Sequence, residues 1–253
     1  MNKNKVLSIF EKIIFSVVLI GVITVIVLSI IALPKAPVQS TVVGKIEKTQ
    51  SDYTLILVMA IPSLIALFLP TFLKKKFHIE MPLIINIIYD LFFFCAVVLG
   101  EYFSFYYRFS GWDNMLHFTS AVLITFVSFS IVSSCIGEEK IKKHPWMLFF
   151  FSLCIAEFSG IMWELCEFTM DSFGLNSQKF QDANGVDLVG RLALMDTMGD
   201  IIVNSLGAIT AGTIGYVSLK HDQVFYESVL IRKVEGELEY DNYASSGSVW
   251  ARK

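Results

Sequence analysis

Charge is scarce in this chain: Asp, Glu, Lys and Arg together make up 17% of its 253 residues, against about a quarter in soluble domains. The net charge is only -3, and no block of Lys and Arg interleaved with aromatics occurs, so no nucleic-acid partner is indicated. Cysteine is limited to Cys95, Cys135, Cys154 and Cys166, each inside an apolar segment and none closely paired. That excludes a zinc ribbon or redox motif and reads as reduced packing residues. No Gly-x-Ser-x-Gly, Walker or dinucleotide-binding motif is present, which argues against serine-hydrolase, nucleotide-driven and Rossmann chemistry.

What is abundant is apolar sequence, 55% of residues, gathered into long uncharged runs. Runs of this length predict an all-α, polytopic membrane protein. Six spans are expected, at about 13–34, 53–73, 82–107, 114–137, 146–170 and 200–219. The first outlasts a signal-peptide core and is read as a retained helix. Residues 35–52 read as an exposed loop, and a short surface helix is expected around Leu188 to Leu194. A loosely ordered tail fills 220–253, where the alternation from Val224 to Val234 could pair as a strand. Gly207, Ala211 and Gly215 form a small-residue ridge that lets another helix approach closely. Trp112, Trp146 and Trp163 suit interfacial anchors.

Of the 20 Lys and Arg, 14 fall in the N-terminal segment, the loops after spans two and four, and the tail. Both termini are therefore expected in the cytoplasm of a bacterial cytoplasmic-membrane protein. Glu101, Asp113, His117, Glu164, Glu167, Asp171, Asp196 and Asp200 then share the outer side. Spacings of three and four put Asp113 with His117, Glu164 with Glu167, and Asp196 with Asp200 and Asn204 on single helix faces.

Each acidic group also has a structural explanation. Asp113 and Asp196 could cap the starts of spans four and six, where a negative charge suits the helix dipole. Glu164, Glu167 and Asp171 lie at a helix C-terminus, where the dipole disfavours them, and could be compensated by neighbouring helix starts. Glu157 falls near mid-bilayer, where an unpaired charge costs roughly 2.5–3.5 kcal/mol, so protonation or a partner is expected. Asp90, Asn86 and Glu101 fit interhelical hydrogen bonding about as well as function.

With His78, His144 and His221 on the cytoplasmic side, His117 is the one outer histidine, which excludes a three-His zinc site within one chain. One His with several carboxylates suits Mg, Mn or Ca, and Zn or Fe less readily. The expected metal ligands are His117, Glu164, Glu167, Asp196 and Asp200, with His117, Glu164 and Asp200 as acid–base groups. Glu101, Asp113, Glu157, Asp171 and Asn204 would complete the polar site. Three functions remain open: binding of a metal ion or an amphipathic or lipid-linked small molecule, with chemistry on it; a proton- or cation-coupled secondary transporter with Glu157, Glu101 and Asp90 as relay; and a non-enzymatic lipid-packing protein.

Trp112-Asp113-x-x-x-His117-Phe118, Trp163-Glu164-x-x-Glu167 and Asp196-Thr197-x-x-Asp200-x-x-x-Asn204-x-x-Gly207-Ala208 together resemble the bacterial YjdF-like membrane proteins. The Asp-x-x-x-His-Phe and Asp-x-x-x-Asn-x-x-Gly-Ala elements are also similar to VanZ-like proteins, which are linked to glycopeptide resistance. Glu167 stands where the VanZ-like pattern more often has Gln, and Arg191 lies further from Asp200 than in that pattern, so the YjdF-like match is closer. It spans about 107–215 and implies an architecture rather than an activity.

Overall fold

A backbone inside a bilayer has no water to bond with, so an apolar run must satisfy its own N–H and C=O groups, and the helix does this within one segment. The computed structural model describes residues 3–39, 47–182 and 186–233. Six of its helices are long and apolar enough to cross a membrane. Large apolar side chains such as Ile65, Phe158 and Leu165 remain exposed on their outer faces, as suits contact with lipid tails.

Helix α1 (Lys3–Ala32) is followed by a 3-10 turn and by α2 (Gln50–Leu67), whose start is closed by a Thr49–Asp52 capping box. Proline then breaks the second span. Pro70 lacks the N–H that would reach the Ala66 carbonyl, and that carbonyl instead accepts from the Tyr89 hydroxyl at 2.8 Å. Helix α3 (Leu69–Phe77) and a two-residue strand β1 (Ile79–Glu80) lead into α4 (Leu83–Phe93). The third span continues as a π-helix over Phe94–Tyr102 and stops there, short of the expected 107. Lys48 closes it by donating to the Glu101 carbonyl (2.7 Å) and Ser104 Oγ (2.9 Å). A short α5 (Phe105–Arg108) follows.

Helices α6 (Trp112–Ile136), α7 (Glu138–Lys143), α8 (Pro145–Asp171) and α9 (Arg191–Lys220) complete the bundle. The sixth span therefore begins nine residues before the expected 200 and absorbs most of the surface helix expected around Leu188 to Leu194. Helices α6, α8 and α9 are one another's main neighbours, and α1 packs on α2 and α4. Between α6, α8 and α9 the fully buried Ala121, Ala156 and Ala208 meet. Lipid gives packed helices little hydrophobic reward, so such close fits carry the association. At Gly207 the α9 backbone lies against that of α6: a Cβ there would lie 2.6 Å from the Phe118 carbonyl oxygen.

The described part of the tail is ordered, contrary to expectation. Val224–Val229 forms α10 rather than a strand, and only Arg232–Lys233 forms β2, antiparallel to β1. Tyr226 is fully buried against Phe129, and its hydroxyl shares a 2.6 Å hydrogen bond with Ser133 Oγ. The tail expectation beyond residue 233 lies outside the described residues. All four cysteines are free, but Cys135, Cys154 and Cys166 are exposed rather than packed, Cys166 at the wall of a cavity.

Candidate functional site

The first two turns of α6, the last two turns of α8, the first third of α9 and the loop after α8 meet at one end of the bundle. Gly111, with φ of 84°, turns the chain into α6. It leaves Asp113 as the second helical residue and His117 one turn on, buried at 8% exposure. The imidazole lies between two sets of carboxylates. Its Nε2 is 3.6 Å from Asp113 Oδ1 and 3.7 Å from Asp200 Oδ2, and its Nδ1 is 3.9 Å from Glu164 Oε1. Glu164 and Asp200 are 6% and 2% exposed. Glu164 Oε1 and Asp200 Oδ2 are buried oxygens with no hydrogen-bond partner among the described residues, a costly arrangement unless something else binds them. Potential ligand atoms of Asp113, His117 and Asp200 lie within 4.8 Å of one another, as do those of His117, Glu164 and Glu167.

The helix-start explanation fails for Asp196, which sits well inside α9 starting at Arg191; Asp113 does lie in the first turn of α6, where its charge suits the dipole, although that start has no side-chain cap. Both bind Lys179: its ammonium donates to Asp113 and lies 3.3 Å from Asp196 Oδ1, 4.9 Å from the centre of the Tyr106 ring. Burial alone would favour the neutral amine, but Asp113 and Asp196 outweigh it and hold the Lys179 pKa above the usual lysine range. Gly100 leaves room for Tyr106, because a Cβ would come within 2.5 Å of that ring. Burial, with Glu101 nearby, pushes the Tyr106 phenol well above its ordinary pKa.

Asp171 shapes the loop rather than joining the cluster, since its carboxylate accepts the backbone N–H groups of Ser177 and Gln178. That bend aims three neighbours inward. Ser177 Oγ donates to Glu167 Oε1 (3.2 Å), and Gln178 Nε2 reaches the Glu164 carbonyl (3.3 Å), Glu164 Oε2 (3.5 Å) and Thr197 Oγ1 (3.0 Å). Lys179 follows. Sequence reasoning missed all three, together with Tyr106. The available signal was that Lys179 is the one cation between Lys143 and Arg191, opposite an acidic surplus that needs one.

Asn204 lies one turn beyond Asp200 and crosses Gly160, where a Cβ would be 2.6 Å from its amide nitrogen. Glu157 stands apart from the main cavity, in a narrow crevice shared with His117, Glu164, Asp200 and Asn204. It has no hydrogen-bond or ion-pair partner among the described residues. Glu101 faces a cavity of about 490 Å³ together with Asp113, His117 and Glu167. The cavity then runs along apolar walls that include Leu55, Val58, Ala66, Phe93 and Val97. It lies between the α2–α4 side and the α6–α8–α9 side, polar at the cluster and apolar beyond it. Trp112 takes part in this architecture, donating its Nε1–H to the Cys95 carbonyl of the π-helix at 3.3 Å.

A family model described as a predicted membrane protein, DUF2238, matches residues 14–221. The chain belongs to this family of predicted membrane proteins. The match runs from α1 through α9 and so takes in every helix that builds the cluster. A relative within reach is an uncharacterized protein of Thermotoga maritima, 31% identical over 151 residues, which cover 59% of this chain and 70% of the relative. No solved structure matches. Family membership thus supports the membrane architecture and leaves the activity to be argued from the site.

Proposed function

We propose that this multi-pass protein of the bacterial cytoplasmic membrane has both termini in the cytoplasm and binds a divalent cation at an outward-facing cluster. The cation lies in the wall of a cavity that takes an amphipathic or lipid-linked molecule. The pair of partnerless buried oxygens on either side of His117 carries this reading. Six carboxylates, those of Glu101, Asp113, Glu164, Glu167, Asp196 and Asp200, surround the region, and among the described residues only Lys179, paired with Asp113 and Asp196, and Lys48, beside Glu101, offset them. Like charges this close repel unless protons or a cation neutralise them. Oxygen ligands with one imidazole suit Mg, Mn or Ca better than Zn or Fe. A cavity of about 490 Å³ is within the range of small-molecule sites.

Two observations favour this reading over its competitors. A relay would need acidic groups along the cavity toward its other end, but those walls are apolar, and neither Glu157 nor Asp90 lines them. A lipid-packing protein would pair its carboxylates and leave no cavity. The YjdF-like and VanZ-like resemblances centre on the same Asp, His, Glu and Asn positions and support a shared site. Metal analysis of detergent-purified protein tests the proposal: the parent should retain Mg, Mn or Ca, and Glu164→Gln, which keeps size and removes charge, should not. Equal metal content in both would reject it.

A further inference from the structure

The two possible cation positions around His117 are mutually exclusive, because a neutral imidazole has one lone pair and one N–H. Whichever nitrogen faces the ion, the other must donate. We infer that the cation lies on the Nδ1 side, held by His117, Glu164 and Glu167, and that Asp200 is a positioning residue whose carboxylate takes the Nε2–H. This rests on the cation reading above and deepens it.

Charge accounting selects the side. On the Nε2 side Asp113 already holds the Lys179 ammonium, which also holds Asp196. A second cation there would face Lys179. It would also sit at the start of α6, where the helix dipole presents positive charge. On the Nδ1 side no lysine or arginine among the described residues forms an ion pair with Glu164 or Glu167; Lys179 acts on them only at longer range, and their hydrogen-bond donors are the neutral Gln178 and Ser177. These two carboxylates stand toward the C-terminal end of α8, the pole that favours cations. Their i, i+3 spacing points both at a histidine on a facing helix, and all three residues are buried.

Partnerless atoms lead to the same division. A cation on the Nδ1 side supplies Glu164 Oε1, and the Nε2–H supplies Asp200 Oδ2, now 3.7 Å away, after a closure of under ~1 Å to ordinary hydrogen-bond length. Neither oxygen is left over. The opposite assignment gives Glu164 the N–H and places two like charges side by side. A histidine ligand that passes its second N–H to a carboxylate is the usual way a metal-binding imidazole is oriented. His117 and Glu167 line the large cavity, whereas Glu164 and Asp200 stand back from it in the adjoining crevice, so an ion on the Nδ1 side would meet the cavity through His117 and Glu167.

Mn²⁺ added to the full chain, located by its anomalous scattering, tests the assignment. A peak bonded to His117 Nδ1, Glu164 and Glu167 is expected. Asp200→Ala should lower Mn²⁺ affinity about 10–100-fold, and Asp200→Asn, which can still accept the Nε2–H, should restore most of it. A peak between Asp113 and Asp200 would overturn the assignment while leaving the cation proposal intact, and requires no variant to fold. Failure of the parent chain to bind Mn²⁺, Mg²⁺ or Ca²⁺ would remove the inference together with the proposal it rests on.

Discussion

Lys179 ties Asp113 of α6 to Asp196 of α9 from a loop, with a backbone φ of 48° that side chains other than glycine seldom adopt. Strain there is offset by two charged partners in a largely buried setting. Lys179→Met leaves both aspartates without their cation and should cost roughly 3 kcal/mol, the lower range for breaking a buried pair, read as a fall in melting temperature in detergent. Because the folded pKa of Lys179 is raised, its contribution is complete below the unfolded lysine value of about 10.4 and is lost only as pH climbs through the higher folded value. The melting gap between parent and variant should therefore stay level from pH 7 to pH 10. A gap that closes across that range would contradict the burial and pairing described. At this scale the sequence revealed the acids but not their counter-ion: spacings of three and four place Glu164 with Glu167 on one face, whereas no periodicity says which way a loop lysine points.

Helices α6 and α9 owe their close contact to Gly207, and the ridge of Gly207, Ala211 and Gly215 was readable at spacings of four. Gly207→Ala would drive a methyl into the Phe118 carbonyl and should destabilise by roughly 1–3 kcal/mol. Gly199→Ala, whose Cβ would meet nothing nearer than 4.0 Å, should be neutral or gain up to about 1 kcal/mol from helix propensity. Similar melting losses in both would show that the packing argument is wrong. The six spans themselves were legible because apolar composition and length report the lipid environment directly. The early start of α9 was not, since Asp196 and Asp200 interrupt the apolar run. They are tolerated because they face the cluster instead of lipid. Nor was α10: the alternation from Val224 to Val234 suggested a strand, and packing of Tyr226 against Phe129 and Ser133 overrode it.

Across the whole molecule, two helical groups enclose an amphipathic cavity with the acidic cluster at one end, and the excess of Lys and Arg at the opposite end sets the expected orientation. A cysteine in place of Val189, which is 76% exposed, should react with a membrane-impermeant thiol reagent in intact cells after removal of the exposed native cysteines, and one in place of Lys140 should not. The reverse pattern would turn the site to the cytoplasm. What the sequence could not convey at this scale is convergence: that α6, α8 and α9 bring Asp113 and Asp200 to one side of His117, and Glu164 and Glu167 to the other, each set within one ion's reach, depends on helix packing, and the conversion of Asp196 into a lysine partner depends on a loop. The cation claim is tested most directly by melting chelator-treated protein with rising Mn²⁺. One bound ion at a hundred times its dissociation constant should stabilise the parent by roughly 2.7 kcal/mol, and Glu164→Gln should melt at or above the metal-free parent and not respond to Mn²⁺. No response in the parent, or an equal response in the variant, would contradict the account.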